Sequence, residues 1–203
     1  MIKLISTFIT RYLEENNSSL IKTDLLKIQY TLEVILGNLF DFIVIFLIFL
    51  SLNKVPILLL SYVILISIRP FMGGVHCKTF ISCLFVTTMY FIMVMLFTTL
   101  APKINNSFNI IFFTISFIIV AIYAPCRNLK RPVKNKATLK IISLISLTLW
   151  IVVFFTLSNV QICNCIFASI FIQILQIIII NRKGVVSNAK IYKHFFSYTS
   201  QVI

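Results

Sequence analysis

The densest chemistry in this chain lies in one stretch, Arg69-Pro70-Phe71-Met72-Gly73-Gly74-Val75-His76-Cys77-Lys78-Thr79-Phe80-Ile81-Ser82-Cys83. It holds two of the four glycines, one of the two histidines and two of the five cysteines. A cysteine and a histidine together perform acyl transfer, because the thiolate is the nucleophile and imidazole is the base available near neutral pH. An unperturbed thiol, with a pKa of about 8.5, is only about 3% ionised at pH 7, so activation is worthwhile. The spacing adds geometry. In one continuous helix His76 and Cys83 would share a face but sit about 10.5 Å apart along the axis, beyond a hydrogen bond. A helix must therefore begin after His76, with the imidazole folded back over its first turns and Cys83 near its positive end. His76 and Cys83 are thus a candidate base–nucleophile dyad. Cys77 competes for the nucleophile's role, and residue types alone do not choose between the two. The bland alternative is a polar histidine in an interfacial loop, with cysteines that only fill space.

Gly73 and Gly74 open backbone conformations that other residues resist, and Pro70 disfavours helix at Arg69, which predicts irregular backbone from Arg69 onward. Irregular backbone survives at membrane depth only where it is buried in protein or lines a wet cavity, and a site is the natural use for it. The oxyanion stabiliser would be backbone N–H groups at the start of the next helix or a side chain such as Arg69. Arg69 equally can snorkel to phosphate headgroups. Asp41 is the acid inside a span and is a functional candidate on that ground. It could orient His76, pair with Arg69 or a lysine, or stay protonated with no catalytic part. Arg127, Lys130, Arg131, Lys134 and Lys136 form a basic loop, a topology determinant and lipid contact first, and a candidate substrate-binding loop second. Cys163-Asn164-Cys165 makes a poor metal site, since its two thiols diverge by about 200° on a helix and no second ligand pair accompanies them. No metal or cofactor is expected. The odd number of cysteines argues against a disulfide framework. His194 stands among Tyr192, Phe195, Phe196 and Tyr198 and reads as part of an interfacial tail.

The elements that must position these groups are membrane spans. Of 203 residues, 60% are hydrophobic and 11% charged, where a soluble domain carries about 25% charged residues. Too little polar surface exists for a water-soluble particle, which excludes an ordinary cytosolic enzyme, a secreted module and a disordered chain. Eighteen Lys and Arg against five Asp and Glu give a net charge of +13. In a membrane protein that excess marks cytoplasmic loops facing anionic lipid, and no zinc knuckle or aromatic–basic signature points to nucleic acid. Runs free or nearly free of charge lie at 34–52, broken only by Asn38 and Asp41, at 55–68, between Lys78 and Lys103, between Lys103 and Arg127, and between Lys140 and Arg182. A span needs about 20 residues, so the last run is a hairpin with its turn near Ser158-Asn159, and the second is expected to be thin, tilted or kinked at Pro56. Six spans with both termini inside place 16 of the 18 basic residues on the cytoplasmic side and leave only Lys54 and Lys103 outside. The best five-span arrangement places 13 inside and 5 outside.

Before the spans, Met1, Leu4, Ile5, Phe8, Ile9, Tyr12 and Leu13 recur at helical spacing, with Lys3, Ser6, Thr7, Thr10, Arg11 and Glu14 opposite. That is an amphipathic helix lying on a membrane surface or packing on a partner. Glu14 and Glu15 stand where a cleavage region should be small and neutral, so the first span is expected to act as the insertion signal. The expected fold is an all-α polytopic membrane protein with six transmembrane helices and an irregular cytoplasmic-side segment between spans 2 and 3. It is a single domain over 1–203, with an N-terminal region 1–33, a bundle 34–181 and a cytoplasmic tail 182–203. The alternative from another class is a small transporter or exporter component. Against it, the irregular segment sits at the interface rather than mid-bilayer, and no inverted repeat shows. A metal-dependent intramembrane protease would need more than two histidines and five acids.

These residues also resemble a known signature. An Arg, a Gly-Gly, a His and a Cys seven residues after the His stand here as Arg69, Gly73-Gly74, His76 and Cys83, and this resembles the accessory gene regulator protein B (AgrB) family of bacterial membrane peptidases. Tyr123-Ala124-Pro125, followed by Arg127-Asn128-Leu129-Lys130-Arg131-Pro132, resembles a second block of that family. The chain departs from the pattern in placing cysteines at Cys77 and Cys126, where small or acidic residues are common. The resemblance implies an enzyme of the bacterial cytoplasmic membrane with its active site on the cytoplasmic side. It implies that Cys83, with His76 as base, cleaves a small propeptide of the AgrD type through a thioester, and that a thiol or hydroxyl of the propeptide then closes a thiolactone or lactone ring. It also implies that the basic loop around Arg127, Lys130 and Arg131 attracts an acidic propeptide tail, and that the protein is a homodimer in contact with membrane lipids.

Overall fold

A computed structural model of the chain describes residues 2–17, 21–74, 80–126 and 135–199, with side chains for all of these except Ile2, Lys22 and 183–199. The described residues form seven helices and no strand: α1 (Ile2–Asn16), α2 (Lys22–Ser51), α3 (Val55–Met72), α4 (Phe80–Leu100), α5 (Asn106–Tyr123), α6 (Lys136–Thr156) and α7 (Val160–Thr199). The last six are each long and apolar enough to cross a membrane. This is a multi-pass membrane protein. Helices are what such runs must form, because hydrocarbon offers no partner to an unpaired N–H or C=O.

The six spans agree with the uncharged runs, and their ends sharpen two expectations. The second span is an 18-residue helix rather than a 14-residue one, since it continues through Arg69 and Pro70 to Met72. Pro56 lies in the first turn of α3, where a missing N–H costs nothing, and so has no reason to kink it. The hairpin turn falls at Leu157–Asn159 as expected. Asn159 makes the restart, its Oδ1 accepting from the N–H groups of Gln161 (2.9 Å) and Ile162 (3.2 Å). Helix α7 does not stop at Arg182 but runs on to Thr199 as one 40-residue element.

The chain divides into two compact units, 1–55 with 78–88, and 56–77 with 89–203. In the first, α1 packs along the start of α2. Its seam is polar: Ser6 is fully buried beside Glu33 (3.3 Å), and Gln29 donates to the Thr7 hydroxyl (3.1 Å). Leu4 and Phe8, each 75% exposed, face away. That orientation inverts a soluble amphipathic helix and fits one whose apolar side meets lipid. Further along α2, Gly37 lies beside the ring of Phe80, the first residue of α4, at a distance where even a Cβ would make ordinary contact, and the Phe40 and Phe80 rings pack 5.7 Å apart.

In the second unit α7 is the central helix. Over half of its apolar window is buried, against a third or less for the other spans. Phe167 of α7 gathers Phe97, Phe112 and Phe113, with the Phe112 ring closest at 4.4 Å. Helices α3 and α6 are joined by hydrogen bonds at Ser67. Trp150 Nε1 donates to the Ser67 hydroxyl and the Ser146 hydroxyl donates to the Ser67 carbonyl, each at 2.7 Å. Lipid tails are as apolar as the side chains they would replace, so such packing and interhelical bonds hold a bundle together, at about 0.6 kcal/mol per bond. Trp150→Phe keeps the ring's bulk and removes the donor. It is expected to lower unfolding stability in micelles by about 0.6–1.7 kcal/mol, measured by denaturant titration or steric trapping, and unchanged stability would contradict the clamp.

Candidate functional site

The glycine turn is built from three separated parts of the second unit. Helix α3 is expected to fray at Arg69, ahead of Pro70, but instead stays helical to Met72. The reason lies in what its last carbonyls meet. The Arg69 carbonyl accepts from the Gly73 N–H (2.9 Å) and the Met72 carbonyl from the Cys126 N–H (3.0 Å). The Gly73 carbonyl accepts from Gln173 Nε2 of α7 (2.7 Å). Those bonds satisfy groups that a helix end leaves open, which offsets the donor lost at Pro70. Gly73 has φ +89°, a left-handed conformation typical of the residue that terminates a helix. A Cβ there would also stand 2.9 Å from the Cys126 Cβ. Gly74 serves a different purpose: a Cβ on it would lie 2.7 Å from Arg69 Nε and 3.2 Å from Arg69 Cγ. The arginine side chain therefore lies across Gly74, and the bare backbone is what lets it do so.

Cys126 follows the cis Ala124–Pro125 bond and is buried. Burial pushes its thiol up to about 11, so it is protonated at neutral pH and fills space under Gly73. That gives the second block of the resemblance, around Tyr123-Ala124-Pro125, a structural part: it supplies the N–H that closes the end of α3.

In the first unit, Cys83 is half-buried and stands in the first described turn of α4. It lies one turn beyond Phe80, which packs on Gly37 and Phe40 of α2. Asp41, one residue past Phe40, is 6% exposed. His76, Cys77 and Lys78, and in the basic loop Arg127, Lys130, Arg131 and Lys134, fall outside the described residues. Lys136 opens α6 and is exposed. Among the described residues no group of His, Cys, Asp and Glu could hold a metal, and Cys83, Cys126, Cys163 and Cys165 are not in disulfides. Cys165 is buried and Cys163 half-buried.

The residues that sequence reasoning missed are Gln173 and Gln176, both buried in α7. Their one signal was chemical type, two amides within an otherwise apolar run, where a polar group demands a reason. Gln173 supplies its reason at Gly73.

Two substitutions separate the roles of the glycines. Gly73→Ala should destabilise the protein by about 1–2 kcal/mol, because alanine resists the left-handed conformation and its methyl meets Cys126. Gly74→Ala should leave stability nearly unchanged but displace the Arg69 side chain. Thermal unfolding reads the first substitution and a structure of the variant the second; an unchanged unfolding temperature for Gly73→Ala, or an unmoved Arg69 in Gly74→Ala, would contradict the turn.

Compared with known proteins, the chain matches Accessory gene regulator B over residues 6–177. It is 57% identical over 200 residues to a protein of Clostridium beijerinckii described as AgrB-like, covering 98% of this chain and 100% of that one. It is 28% identical over 123 residues to the accessory gene regulator protein B of Staphylococcus lugdunensis, covering 61% of this chain and 64% of that one. No solved structure matches it. The matched region takes in α2 to α6, the glycine turn, Cys83, the Cys126 turn and α7 as far as Ile177. The chain belongs to the accessory gene regulator B family.

Proposed function

We propose that this protein is a cysteine endopeptidase and acyl transferase of the accessory gene regulator system, acting in the bacterial cytoplasmic membrane on a small propeptide of the AgrD type. The observation that carries the reading is the position of Cys83, half-buried in the first described turn of α4, in a chain of this family. A helix N-terminus favours negative charge, which is what an attacking thiolate carries.

The steps balance without an added reagent. His76 takes the proton from Cys83, and the sulfur adds to a propeptide carbonyl. The tetrahedral oxyanion collapses with cleavage of the C–N bond, His76 returns the proton to the leaving amine, and the C-terminal fragment departs. A thioester joins the remaining peptide to Cys83. A thiol within that peptide then gives its proton to His76 and attacks the same carbonyl, the bond to Cys83 breaks, a thiolactone ring closes, and His76 returns the proton to the Cys83 sulfur. A hydroxyl in the thiol's place gives a lactone. Hydrolysis competes for the thioester, so a site that excludes water favours the ring.

Arg69 is the proposed oxyanion or substrate ligand, held across Gly74 on a turn pinned by Cys126 and Gln173. Asp41 is the proposed supporting carboxylate. What supports it is its burial in α2 beside Phe40, whose ring packs on Phe80, three residues before Cys83. The bias of basic residues toward the segments that hold His76 and the 127–140 loop supports a cytoplasmic site with both termini inside, and the basic loop is the proposed contact for an acidic propeptide tail and for lipid headgroups.

Co-expression with a propeptide of the AgrD type, followed by mass spectrometry, is expected to yield a cyclised peptide. Cys83→Ser and His76→Gln should each lower it by about a hundredfold or more, while Cys77→Ser retains it. Loss with Cys77→Ser and retention with Cys83→Ser would transfer the nucleophile's role. Asp41→Asn at unchanged expression is expected to reduce maturation by about tenfold or more if the carboxylate steadies the base, and full activity would remove it from the site.

A further inference from the structure

At the opposite end of the second unit from the glycine turn, about 25 Å away along α5, the connections α4–α5 and α6–α7 enclose a cavity of about 240 Å³. That space suits the last one or two residues of a peptide. Its polar side is Lys103, Asn106, Asn109 and Asn164, and its apolar side Phe154, Phe155, Leu157 and Val160. No acid lines it.

The walls are tied. Asn164 Nδ2 donates to the Ala101 carbonyl (2.8 Å), holding the α4–α5 connection, and the Cys163 thiol donates to the Leu157 carbonyl (3.3 Å), holding the α6–α7 turn. Both α5 and α7 begin here, so two positive helix ends and one ammonium face the same space. The donors of α7 are already engaged by Asn159, and the Ser107 N–H by Asn105. The helices therefore contribute field, and Lys103 contributes the donor. The second observation is Asn109, 3% exposed and lining the cavity. Its Nδ2 donates to the Ile104 carbonyl (3.4 Å), and Oδ1 has no partner. A buried acceptor without a donor is costly and calls for an N–H from outside.

Cation, orphaned acceptor and apolar wall match one ligand chemistry. We infer that this cavity binds the C-terminal end of a peptide with an apolar last residue. The carboxylate lies on Lys103, the last peptide N–H donates to Asn109 Oδ1, and the side chain rests on Phe155 and Leu157. The inference holds whether or not Cys83 is a nucleophile, and its test uses no processing step.

Full-length protein in lipid nanodiscs is titrated with acetyl-alanyl-leucine as the free acid, with the same dipeptide as its C-terminal amide, and with free leucine. Ligand-observed NMR reads affinity, and peptide mapping reads protection of Cys163 from alkylation. The free acid is expected to bind and to protect Cys163, with the amide and free leucine each weaker by about tenfold or more. Lys103→Gln should lose the preference for acid over amide while Lys103→Arg keeps it. Equal binding of acid and amide, leucine as tight as the dipeptide acid, an unaltered Lys103→Gln protein, or no binding to the native protein would each overturn the inference.

Discussion

The end of α3 is where this structure is most constrained. Its last carbonyls must find donors close to the membrane boundary, and local sequence cannot supply them all: Pro70 has no N–H, and Gly73 turns the chain away. The missing donors come from a distance. The Cys126 N–H meets Met72 and the Gln173 amide meets Gly73. These bonds join three segments remote in sequence at one turn, and they explain why a glycine with φ +89° is kept there. They also fix the backbone over which Arg69 lies.

Helix α4 answers the other half of the requirement. It starts at Phe80, whose ring packs on Gly37 and Phe40, so that Cys83 comes within one turn. A side chain on a helix is placed more firmly than one on a loop, and the proposed nucleophile stands on this helix. His76 lies among residues 75–79, outside the described residues.

Much of this was legible from residue types. Spans could be read from uncharged runs because hydrocarbon tolerates few charges, and the 157–159 turn from the asparagine that caps α7. The extension of α3 through Arg69 and Pro70 was not legible, since it depends on partners about 50 and 100 residues away, and local propensity knows nothing of them. The orientation of α1 was open for a related reason. Its two faces are plain in the sequence, but burying Ser6 and exposing Phe8 is sensible only when the surroundings are lipid. Gln173 carried a weak sign, a polar group in an apolar run. Its bond to Gly73 could not be read because helix rotation and depth are set by packing.

The central claim, covalent catalysis through Cys83, is tested most directly by weighing the protein in the act. Purified protein in lipid is mixed with synthetic propeptide, quenched in acid and examined by intact and peptide-level mass spectrometry. The account predicts an added mass equal to the N-terminal portion of the propeptide, localised to Cys83, removed by hydroxylamine and missing from the Cys83→Ser protein. An adduct on Cys77 instead, or a cyclised product released by Cys83→Ser protein, would contradict it.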